Sequence, residues 1–70
     1  MHFLLKGYRS RSGAIVPEFF DTEEAAKQRA FELLHSEGSG VWVEIWLEGK
    51  LLHDPVWMEK EYLRQDHALI

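Results

Sequence analysis

The chain has 70 residues, twelve acidic and eight basic side chains for a net charge of −4, and no Cys. Those bounds exclude a disulfide framework and a thiolate metal site. They also argue against non-specific nucleic-acid binding, which rests on phosphate neutralisation by Lys and Arg. A domain this short buries only about 60% of its unfolded surface, so three Trp, two Tyr and four Phe, or self-association, must supply the missing support.

His2 to Arg9 carries Phe3, Leu4, Leu5 and Tyr8 and reads as a first strand. Alternation puts Phe3 and Leu5 on one face, Leu4 and Tyr8 on the other. Ser10-Arg11-Ser12-Gly13 is a turn, and Gly13 suits a positive φ. Ala14 to Phe20 returns as a second strand. Pro17 has no N–H to give a ladder, so this strand belongs at an edge, or its N–H side there faces outward.

Asp21-Thr22-Glu23-Glu24 fits a capping box, with Asp21 at the N-cap and Glu24 three residues on. Helix formers continue to Glu37, and Ala26, Ala30, Leu33 and Leu34 make an apolar stripe. Gly38-Ser39-Gly40 ends the helix. Val41-Trp42-Val43-Glu44-Ile45-Trp46-Leu47 is a strand with two unlike faces. Val41, Val43, Ile45 and Leu47 form an aliphatic core face. Trp42, Glu44 and Trp46 form a second face too apolar to leave bare on a soluble monomer. Glu48-Gly49-Lys50 is a tight turn, and Leu51 to His53 a short fourth strand. Asp54-Pro55 reads as an N-cap and first helical residue. The helix runs through Gln65, carrying Trp57, Met58 and Tyr62, and the last residues are a frayed tail.

The expected fold class is α+β. An antiparallel-type sheet in ββαββ order packs on one long helix and is followed by a short C-terminal helix. Within a single domain, residues 1–53 form the core, 54–66 the terminal helix and 67–70 the tail. The pattern resembles small uncharacterised bacterial proteins in which a hairpin precedes such a helix. Asp21 to Ala26, Val43 to Trp46 and Gly49-Lys50-Leu51-Leu52 are the matching pieces. The resemblance implies the fold and lends no activity.

Catalytic equipment is sparse. His2, His35, His53 and His67 lack the i, i+3 or i, i+4 spacing of a helical metal site. His53 with Asp54 is the best metal case, and dispersed surface His outweighs it. Ser36 follows His35, but adjacent helical residues point apart. Glu44 between two indoles invites a desolvated acid or base, against the simpler reading of an ion pair with Lys6, Arg9 or Lys50. Gly38-Ser39-Gly40 follows a helix and precedes a strand, the reverse of a phosphate loop. No catalytic, cofactor-binding or metal residues are therefore expected, and the chain is read as not an enzyme.

The expected function is a small protein-interaction module, self-associating or partner-binding. Its contact residues are Trp42, Trp46, Trp57, Tyr62 and Tyr8, since Trp and Tyr anchor interfaces. The competing structural expectation is that Trp57, Met58 and Tyr62 of the terminal helix cover Trp42 and Trp46. An alternative function is a small acidic phage-type antagonist of a basic nucleic-acid channel. Glu23, Glu24, Glu32, Glu37, Glu44, Glu48, Glu59 and Glu61 would supply its charge if they cluster on one face. No cofactor, direct nucleic-acid contact or membrane partner is expected. No apolar run approaches a membrane span and no secretion leader is evident, so the expected location is the cytoplasm.

Overall fold

The computed structural model describes residues 2–37 and 40–68. The element order is β1 (Phe3–Arg9), β2 (Gly13–Phe20), α1 (Glu23–Glu37), β3 (Val41–Leu47), β4 (Lys50–His53) and α2 (Pro55–Ala68). The four strands form one sheet in the order β2-β1-β3-β4, every neighbouring pair antiparallel. This is the α+β arrangement expected from the hydrophobic pattern. β2 and β3 both run against β1, so α1 carries the chain across it to β1's other side. Pro17 sits on an edge strand, as its missing N–H requires.

Two turns meet their backbone demands with glycine. Gly13 has φ 87° and closes the first hairpin, and Gly49 has φ 81° and closes the second behind Glu48 at φ 50°. Opposite the middle of β1, β2 carries an irregularity between the Leu5 and Gly7 pairings. There Gly7 is packed closely by Ile15: a Cβ at Gly7 would stand 2.8 Å from Ile15 Cδ1.

The inner sheet face and the helices enclose the core. Leu5, Ala26, Ala30, Leu33, Leu34, Val41, Val43, Ile45 and Met58 are buried together. The two alanines let α1 lie close over β3. Leu47, expected among them, is half-buried near the end of its strand.

Two local expectations are corrected. Thr22, not Asp21, caps α1: the Ala25 N–H donates to Thr22 Oγ1 at 3.2 Å. The helix therefore begins one residue later, and Glu24 is not placed to close a box. The terminal helix runs to Ala68, beyond the expected boundary at 66. The cap at its other end is as expected, with the Trp57 N–H donating to Asp54 Oδ1 at 2.7 Å. Of the proposed Gly38-Ser39-Gly40 stop, Gly38 and Ser39 lie outside the described residues. The Gly40 carbonyl accepts from the Ser10 N–H at 2.8 Å and ties the first turn to the start of β3.

Candidate interaction surface

Strand register decides which side chains share the outer face. Leu4 pairs with Trp46, Lys6 with Glu44, and Tyr8 with Trp42 across β1 and β3. Phe19 of β2 is level with Leu4, and Leu51 of β4 with Trp46. One row across the sheet thus reads Phe19, Leu4, Trp46, Leu51. Two positions along the strands come Lys6 and Glu44, and two further come Tyr8 and Trp42.

Among the described residues nothing forms a layer over this face. Tyr8 is 55% exposed, Phe19 67%, Trp42 47% and Leu51 45%. The alternative shelter, the terminal helix, lies on the other side of the sheet beside α1. Met58 is buried in the core. Tyr62 packs on Phe31 with ring centroids 6.1 Å apart, and its hydroxyl lies 3.1 Å from His35 Nδ1. Trp57 stacks on His53 at 3.8 Å, beneath Lys27 Nζ at 5.2 Å. His53 Nε2 also meets Glu23 Oε2 at 3.2 Å. Of the five expected contact residues, Tyr8, Trp42 and Trp46 come together on the outer face. Trp57 and Tyr62 instead belong to the seam between the helices.

The aromatic face has internal order. The Tyr8 and Trp42 rings sit 6.3 Å apart, tilted by 42°. Lys6 leans its ammonium over the Trp46 ring, 4.8 Å from the centroid. Two shallow hollows flank Lys6, about 370 Å³ beside Tyr8 and Trp42 and about 510 Å³ beside Phe19 and Trp46. Trp46 Nε1 is buried with no hydrogen-bond acceptor among the described residues, a donor left without compensation.

Two of the three expected ion-pair partners of Glu44 go elsewhere. Lys6 faces it in register but lies over Trp46, and Arg9 bridges to Glu37 at 3.1 Å. Glu44 makes no ion pair among the described residues. The Ser36 hydroxyl donates to its own helix at the Leu33 carbonyl, while His35 meets Tyr62. Among the described residues no three His, Asp or Glu side chains converge as a metal-binding group. No helix among them is long and apolar enough to cross a membrane.

Five of the carboxylates are set beside basic side chains. Glu23 pairs with Lys27, Glu18 and Glu32 with Arg29, Glu37 with Arg9 and Glu61 with Arg64. Hydrogen bonds from Lys27, then from His53, hold the Glu23 carboxyl below the usual carboxylate range, against a smaller opposing effect of burial. The Arg9 hydrogen bond does the same for Glu37.

Sequence reasoning missed Phe19 and Leu51 as members of the face. Alternation from the half-buried Phe20 back to Phe19 was available, but Pro17 and the irregular register obscured its continuation. Comparisons with family models, with curated proteins and with solved structures found no match for this chain.

Proposed function

We propose that this protein is a non-enzymatic interaction module whose working surface is the outer face of its sheet. The observation behind this reading is the bare aromatic face itself: Tyr8, Phe19 and Trp42 are exposed on a sheet whose two helices, among the described residues, pack on its other side. Large exposed aromatics gathered on a flat element are the usual anchors of protein interfaces. The acidic antagonist reading has less support, because Glu23, Glu32, Glu37 and Glu61 are each set against a basic side chain.

Hydroxyl-radical footprinting tests the proposal by comparing dilute purified protein with the same protein in a lysate of its source cells or at high concentration. Tyr8, Phe19 and Trp42 should react readily when dilute and become protected in at least one of the other samples. Unchanged reactivity in all three would remove the proposed role.

A further inference from the structure

We infer that the occupant of the aromatic face is a second copy of this chain, docked sheet to sheet about a two-fold axis running parallel to the strands, between β1 and β3. The inference rests on the reading of that face as an interaction surface, and names its partner.

The outer face is complementary to itself. A two-fold in the plane between two stacked sheets places each position of one copy over a different position of the other. With the axis along the strands, β1 of one copy lies over β3 of its mate, and levels along the strands are kept. Each cross-strand pair of the single chain then becomes a pair across the interface. Tyr8 faces Trp42, Leu4 faces Trp46, and Lys6 faces Glu44, each twice. At the flanks Phe19 faces Leu51. Apolar residues meet apolar ones throughout, and the only two charges in the middle meet their opposites.

Charge selects this axis over its rival. A two-fold across the strands would set β1 over β1, with Lys6 against Lys6 and Glu44 against Glu44. Like charges facing each other in a desolvated interface are strongly disfavoured. An unlike partner would need its own base placed against Glu44 and its own acid against Lys6. A second copy already carries both at the required spacing.

Size and edges point the same way. Three strands of seven or eight residues and a fourth of four span at most about 19 Å by about 23 Å. Two such faces, with side chains, remove on the order of 1,000 Å² from water when stacked, near the lower limit of stable interfaces. The β2 edge is a poor alternative. Its ladder is interrupted opposite Lys6, and Pro17 offers no N–H.

Sedimentation of the wild-type chain over a broad concentration range should show a reversible step to twice the chain mass. Lys6→Glu alone and Glu44→Lys alone each place like charges across the interface and should weaken pairing at least tenfold. Mixed one to one, the two variants should pair again, because the two introduced side chains then face each other while the remaining Lys6 and Glu44 do likewise. Circular dichroism of each variant checks that the fold is retained. A readout without variants is footprinting of the pure wild type on concentration, where Tyr8 and Trp42 should become protected while Trp57 does not change.

A wild type that stays monomeric throughout overturns the second-copy assignment. So does pairing that the mixed variants fail to restore. If the face is then protected only in lysate, the interaction reading survives with another partner. If it is protected nowhere, both readings fall together.

Discussion

The two faces of β3 are built from alternate residues of one seven-residue segment, yet they live in different environments. Val41, Val43 and Ile45 lie under α1 and α2 and are buried. Trp42 and Trp46 project from the same backbone into the outer face, where Trp42 is about half exposed. The inner face holds the monomer together. The outer face keeps Tyr8, Phe19 and Trp42 about half exposed or more. Apolar character alone therefore does not mark a core position; the presence of a second layer does.

Truncating a side chain on each face in turn should give the most unequal losses. Ile45→Ala should cost roughly 2–5 kcal/mol through lost burial and a cavity. Trp42→Ala, measured by chemical denaturation at concentrations where the chain is monomeric, should cost less than about 1 kcal/mol. Equal losses would mean that Trp42 is sheltered within the chain, and the contrast would collapse.

Trp46 sharpens it further, being half-buried with an unpaired indole N–H. Trp46→Ala should cost about 2 kcal/mol, part of the penalty for a fully buried indole. Trp46→Phe deletes the unsatisfied donor and keeps a ring under Lys6, so it should cost less than about 1 kcal/mol. A Phe variant as damaged as the Ala variant would show that the N–H has an acceptor.

The smallest effect concerns the helical side. Glu23 and Glu37 have carboxyl groups held below their ordinary range in the folded state. Their contribution is complete above the unfolded value of about 4.3 and is lost as pH falls through the lower folded values. The denaturation midpoint should therefore decline below about pH 4.3, and Glu23→Gln should flatten part of that decline. Glu23 is partly exposed and screened by solvent, so its share should stay below about 1 kcal/mol. An unchanged acid profile in Glu23→Gln would mean that the Lys27 and His53 contacts do not hold the carboxylate.

Much of this architecture was legible because local rules and the fold agree. The Ala26, Ala30, Leu33, Leu34 stripe and the aliphatic face of β3 meet as their periodicities require. Pro17 placed its strand at an edge, and Asp54-Pro55 opened the terminal helix. The first helix cap was misplaced by one residue because Asp21 and Thr22 are both good N-caps. Only the backbone path decides which side chain reaches an N–H, and here Thr22 does.

The side of the sheet taken by α2 was not legible. Trp57, Met58 and Tyr62 would suit the aromatic face as well as the space beside α1, since an amphipathic stripe specifies burial without naming the surface that buries it. In the folded chain Met58 enters the core, and His53, Glu23 and Lys27 gather around Trp57.

The amino-acid order alone determined which residues alternate, where turns must fall and that two indoles project opposite the valines, because backbone stereochemistry fixes those relations within a few residues. Tertiary structure alone decided that both helices share one face and, among the described residues, leave the other open. That choice depends on contacts between segments far apart in the chain, and local periodicity carries no information about them.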